Sequence, residues 1–158
     1  MMAFDVAGRL AEGEPALAAL EDYLQASRVL GLPSEVSPAE LYRAESGLDL
    51  AALAADARAL DAAALAAQDA LRLQGNGYRE LTAQWSGTGG DAAAGFLRAM
   101  TVAAEDVVAH LQRGAQALTI LRDELWRAVD AKVDAVVRAD AQAAGHRDAW
   151  SAASRAVL

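Results

Sequence analysis

The sequence predicts an all-α protein, an elongated antiparallel helical hairpin within a helix bundle, with additional helices before it. Three observations lead there. The chain is rich in Ala and holds only three Pro among 158 residues, and Ala loses no side-chain entropy on entering a helix. Apolar positions recur at alternating steps of four and three in two long stretches, which is the repeat of helices packed side by side. Between the two stretches lies a short Gly-rich break, Gly87-Thr88-Gly89-Gly90, of the kind that lets one helix turn back on another.

The elements follow in order. Residues 1–13 carry no firm pattern. Pro15, after Glu12 and Glu14, suits a first helical turn; Leu17, Leu20, Tyr23 and Leu24 then give a short apolar stripe that Gly31-Leu32-Pro33 stops. Ser37-Pro38-Ala39-Glu40 is a capping box, with Ser37 as N-cap and Pro38 at the first helical position. Ser46-Gly47 can break that helix and Asp49 can start the next. The first seam steps through Leu53, Ala57, Leu60, Ala64, Ala67, Leu71, Gln74, Tyr78, Leu81 and Trp85. Gly75-Asn76-Gly77 interrupts it, each Gly costing about 1 kcal/mol relative to Ala. The heptads stay in phase across it, so a kinked or tightly packed helix is expected there instead of a loop.

The second seam is read as Leu97, Met100, Ala104, Val107, Leu111, Gly114, Leu118, Leu121, Leu125 and Ala128, with Asp91 as its cap. Its helix, of roughly 70–80 Å at 1.5 Å per residue, runs to Gly145. Past Leu125 the apolar positions shift to Val129, Val133 and Val136, a four-residue stutter. Trp150 and Val157 fall on a last short helix, and the abrupt Ala-Val-Leu end reads as a cut from a longer protein. The pattern divides the chain into an N-terminal helical extension, 1–46, and a hairpin with a long second helix, 47–158. Two helices alone bury too little to be stable; the segment 14–30 can supply one neighbour, and the remaining apolar face is expected to meet another chain.

Composition excludes several classes. No 18-residue run lacks charge, so no membrane span is expected. Asp5, Arg9, Glu12 and Glu14 interrupt any apolar segment that would serve as a Sec signal peptide. Without Cys there is no disulfide framework, thiol nucleophile or thiolate metal site. A net charge of −8 argues against nucleic acid. Asp106 and His110 share a helix face but lack the inward Glu and Glu-x-x-His set of a carboxylate-bridged metal site. Gly87–Gly90 lacks the strand and Lys of a phosphate loop. Neither a catalytic residue nor a cofactor is expected.

The bend is the informative place. Trp85-Ser86-Gly87 sits between the two seams, where Trp85 can fold over the turn and Gly87 can take positive φ without a Cβ penalty. In this, residues 48–140 resemble the WXG family of small helical-hairpin proteins exported by type VII (ESX) secretion systems of actinobacteria and relatives. The resemblance implies a non-enzymatic protein, secreted or at the cell surface. Its partners would be another helical hairpin, in a homo- or heterodimer, and the secretion machinery. Many such proteins carry a Tyr-x-x-x-Asp/Glu export signal after the second helix. This chain has none as written; Trp126 and Asp130, one helical turn apart, are the nearest candidates for an export or partner epitope. The N-terminal extension resembles the larger members. The alternative is a cytoplasmic coiled-coil scaffold or adaptor in which the Trp-x-Gly is accidental, and a metal-dependent helical-bundle enzyme stands as a third reading.

Overall fold

The computed structural model of the chain describes residues 4–32 and 37–157, all helix, turn or loop with no strand among them. Five α-helices follow in order: α1 Val6–Val29, α2 Pro38–Arg43, α3 Leu50–Gln84, α4 Thr88–Ala143 and α5 Arg147–Val157, with a single 3-10 turn, Ala144–His146, before the last. The fold is all-α. The chain forms two compact units, one of Met1–Ala51 with Asp123–Leu158 and one of Ala52–Arg122. They part at 51/52 and 122/123, whereas the sequence pattern placed a boundary at 46/47.

The 52–122 unit holds most of α3 and the first part of α4. Their facing residues run in opposite directions. Gln74 Nε2 donates to the Leu97 carbonyl (3.4 Å) and to Thr101 Oγ1 (3.3 Å), and Arg98 Nη1 donates to the Tyr78 hydroxyl (3.2 Å). Further from the bend, a Cβ at Gly114 would stand 3.2 Å from Leu60 Cδ1. On α3 the buried and half-buried positions are those the seam predicts, from Leu53 through Ala57 and Ala64 to Leu81; only Trp85 departs, at the helix end. α3 runs unbroken through Gly75-Asn76-Gly77. Added Cβ atoms at both glycines would meet nothing within 4 Å, so tight packing is not what places glycine there.

On α4 half of the expected seam is one residue out of register. Leu97, Ala104, Leu111 and Leu118 are half-buried as expected, but the residues between them are Thr101, Val108 and Ala115. Met100, Val107 and Leu121 lie on the surface. The opposing helix presents Ala57 and Ala64, both buried, and Leu60, whose Cδ1 would stand 3.2 Å from a Cβ at Gly114, and the α4 residues that meet this face are the ones withdrawn from solvent. The stutter holds in the other unit, where Val129 and Val133 are fully buried and Val136 is half-buried.

That other unit is organised by α1. The helix begins nine residues before Pro15, not at it. Asp5 is its N-cap, accepting from Gly8 N (2.9 Å), and Pro15 lies inside the helix on its exposed side. An interior Pro costs about 3 kcal/mol, which burial of Val6, Leu10, Ala16 and Leu17 on the opposite face offsets. Tyr42, at the end of α2, is buried and donates to the Leu10 carbonyl (2.7 Å). It lies against Gly13, where any Cβ would overlap the phenol oxygen. Arg43 forks onto Glu14 with two bonds of 2.9 and 2.6 Å. Ser37 caps α2, accepting from Glu40 N at 3.4 Å, with Pro38 in the first turn. α2 ends before Ser46-Gly47, as the breaker predicts. α5 docks on α1 through Tyr23, which donates to the Ala143 carbonyl (3.0 Å) and accepts from Arg147 Nε (3.2 Å). Pro33 lies outside the described residues, as does the side chain of Val157.

Three outcomes follow for this unit. Tyr42→Phe loses one hydrogen bond and leaves the buried Leu10 carbonyl a partner short, costing about 1 kcal/mol in urea denaturation. Gly13→Ala forces the phenol out of its seat and costs more than Tyr42→Phe. Hydrogen bonding to Arg43, the larger influence, holds the Glu14 carboxyl below its usual pKa. Its contribution is therefore present above the ordinary Glu range and is lost as pH falls through the depressed folded value. Arg43→Gln should remove that part of the acid limb of the stability profile.

Candidate functional site

The bend is shorter than the glycine run suggests. Trp85 N still donates to Leu81 O (2.9 Å), and Asp91 N already donates to Gly87 O (2.9 Å). α4 thus starts at Thr88, and Asp91 lies inside its first turn instead of capping it. Only Trp85, Ser86 and Gly87 are outside a helix. Gly87 has φ +92°, a conformation that an L side chain adopts only under strain.

Trp85 folds back over the start of α4. Its ring lies 3.3 Å from where a Gly89 Cβ would stand, and its carbonyl oxygen lies 2.7 Å from a Gly90 Cβ. The two glycines beyond the break therefore serve close approach, one to an indole and one to backbone. The indole is half exposed, at 50%, and Ser86 is exposed beside it. The bend thus offers solvent an aromatic face and no charge.

The second candidate, Trp126 and Asp130, belongs to the other unit and is already engaged within the chain. Phe4 meets the Trp126 ring edge-on, with centroids 5.8 Å apart and planes at 89°. Arg9 Nε donates to Asp130 (2.7 Å) while its terminal nitrogens bond Asp134 (2.6 Å) and Glu12 (2.5 Å). Three carboxylates hold the Arg9 guanidinium charged even more firmly than usual, Glu12 contributing most and Asp130 next. Nearby, Lys132 donates to the Leu41 carbonyl (2.8 Å) and pairs with Glu45. Phe4 and Arg9 were invisible as partners in the sequence because residues 1–13 show no apolar period. The acidic i,i+4 pair Asp130 and Asp134, opposite an early Arg, was the available signal.

A third feature is an outward apolar face of α4. Phe96, Val107, Met100 and Leu121 are 65, 55, 45 and 43% exposed. They fall on one side of the helix beside the residues that meet α3, and three of them, Met100, Val107 and Leu121, are ones the sequence pattern placed in the second seam.

Among the described residues no group of three or more His, Cys, Asp and Glu is placed to hold a metal ion. His110 Nδ1 bonds the Asp106 carbonyl (2.6 Å). None of the described helices is long and apolar enough to cross a membrane. No known protein family, curated protein or solved structure matches the chain.

The bend geometry sets an order among substitutions. Gly90→Ala must displace backbone and should destabilise more than Gly89→Ala, whose obstacle is a side chain that can rotate away. Trp85→Ala should lower the melting temperature and loosen the start of α4. Thermal melts followed by circular dichroism check both, and an unchanged melt for Trp85→Ala would contradict a structural role for the indole.

Proposed function

We propose that this chain is a non-enzymatic helical protein of the type VII secretion-associated kind, acting through helix-bundle contact with a partner. The observation that carries the reading is the bend: Trp85 and Gly87, the latter at φ +92°, join two antiparallel helices with only three residues outside helix. The half-exposed indole there is a ready contact for a second protein, since aromatic side chains supply much of the energy of interfaces. Trp126 and Asp130 form the recognition epitope in this reading, together with Phe4 and Arg9, which lie against them.

The alternative, a cytoplasmic scaffold, draws on the same contacts. Phe4 and Arg9 give Trp126 and Asp130 a role in packing α1 without any export receptor.

Export decides between them. A tagged chain expressed in an actinobacterium with an intact ESX system should reach the culture filtrate, and should stay in the cells of a strain lacking the secretion ATPase. Asp130→Ala should retain the protein in the cells at normal abundance. Equal filtrate levels in both strains would contradict the secretion reading, and normal export of Asp130→Ala would contradict the epitope.

A further inference from the structure

We propose that residues 78–94 form a tip of the 52–122 unit that opens as one piece, hinged at Gly75, Gly77 and Gly95, while the rest of α3 and α4 in that unit stays packed. The proposal does not depend on whether the chain is exported.

The hinge is marked by glycines that packing does not explain. Most glycines inside the helices stand where a neighbour leaves no room for a Cβ: Gly13 faces the Tyr42 phenol, Gly90 the Trp85 backbone and Gly114 a Leu60 methyl. Among the described residues inside α-helices, Gly75, Gly77 and Gly95 are the exceptions. A Cβ added to any of them would meet nothing within 4 Å, and none of them has a positive φ. Alanine would fit all three places and would favour the helix about fivefold at each. In helices otherwise rich in Ala, these positions give up stability without any gain in contact.

The three glycines lie at one level. Gln74 donates to the Leu97 carbonyl and Thr101, and Arg98 donates to the Tyr78 hydroxyl. That pairing brings Gly95 within about one turn of Gly77 across the two helices. A break in both helices here frees everything beyond it.

Little holds the part beyond. From Tyr78 to Ala94 the buried residues are Gly90 and Ala94; Tyr78, Leu81 and Ala93 are half-buried, and the rest are exposed. No large apolar side chain in this segment is fully buried. On the other side of the glycines Ala57, Ala64, Val108 and Ala115 are buried. Few buried apolar contacts are the physical mark of a segment that opens locally.

α3 also carries the parts of a helix end at the hinge. Gly and Asn close helices at their C-termini, and basic side chains there bond the last carbonyls. Arg79 makes such bonds across Gly75-Asn76-Gly77: its Nε donates to the Gly75 carbonyl (3.3 Å) and its Nη2 to Asn76 Oδ1 (2.5 Å). When the tip opens, α3 stops at a ready-made cap. Half-buried Tyr78 and Leu81 then come into solvent, and the Trp85 indole leaves its seat on Gly89.

Native-state hydrogen exchange, under conditions where closing outpaces exchange, tests this. Amides 79–84 and 91–95 should share one protection factor, about a hundredfold or more below those of 57–70 and 104–118. Gly77→Ala should slow exchange in the tip about fivefold. Ala66→Gly, on the exposed side of α3 in the packed part, should speed exchange of 57–70 by a similar factor. It should leave the tip unchanged, because residue 66 is helical in both the closed and the open form. The chain has no cysteine, so single thiols give a second reading. Ala94→Cys should react with iodoacetamide faster than Ala115→Cys, both at buried positions, and more slowly once Gly77→Ala is added.

Protection that declines residue by residue toward the bend would mean fraying from the turn and would overturn the proposal. So would a tip that Ala66→Gly speeds in step with 57–70, since 78–94 would then open only with the whole unit. Tip exchange and Ala94→Cys labelling unmoved by Gly77→Ala would remove the hinge.

Discussion

The distance at which α3 and α4 meet governs the rest of their unit. Ala57 and Ala64 on α3 and Ala115 on α4 are buried with almost no accessible surface, and Gly114 leaves just enough room for the Leu60 methyl. Helices faced with alanine gain dispersion contact by approaching closely, and half-buried Leu60, Leu97, Leu111 and Leu118 pack among the small residues. On α4 the face so buried runs through Leu97, Thr101, Ala104, Val108, Leu111, Ala115 and Leu118, while Met100, Val107 and Leu121 lie outward. The polar exception, Gln74, is tolerated because its amide finds the Leu97 carbonyl and Thr101. The same closeness demands a short bend, which Gly87 supplies by its positive φ and Gly90 by its missing Cβ.

The other unit solves a different problem. Its α1 carries an interior proline and packs against short partners, so it depends on specific fittings more than on area. Tyr42 reaches the Leu10 carbonyl only because Gly13 is bare, and Arg9 ties together three carboxylates, two of them on α4. Those ion pairs are partly exposed and individually modest. Their effect is to fix the seating of α1 over Trp126 and Asp130, whose apolar neighbours Val129 and Val133 supply the burial.

Much of this was legible in the chain. Periodicity alone located α3 and its buried face, because apolar and small residues on that helix coincide in one phase. The capping box marked α2, and Ser46-Gly47 marked the break after it. α4 was harder: two phases of its pattern are both apolar, with Val107 beside Val108 and Gly114 beside Ala115, and residue type does not choose between them. Which phase is buried depends on how α3 lies along the helix, a tertiary quantity. α1 was missed at its start because Pro15 is a strong local signal and the burial that overrides it comes from residues far along the chain. At the bend, Trp85 and Gly87 were found from sequence, while the need for Gly89 and Gly90 became visible only with the indole and carbonyl of Trp85 in place.

The claim on which this account turns is that α4 buries its Ala115 face against α3 and leaves its Leu121 face outside. Chemical denaturation of Ala115→Leu and Leu121→Ala, at chain concentrations low enough to keep the protein monomeric, tests it most directly. The account predicts that Ala115→Leu loses about 1–3 kcal/mol through overpacking while Leu121→Ala changes stability by less than about 0.5 kcal/mol. A costly Leu121→Ala beside a tolerated Ala115→Leu would contradict it.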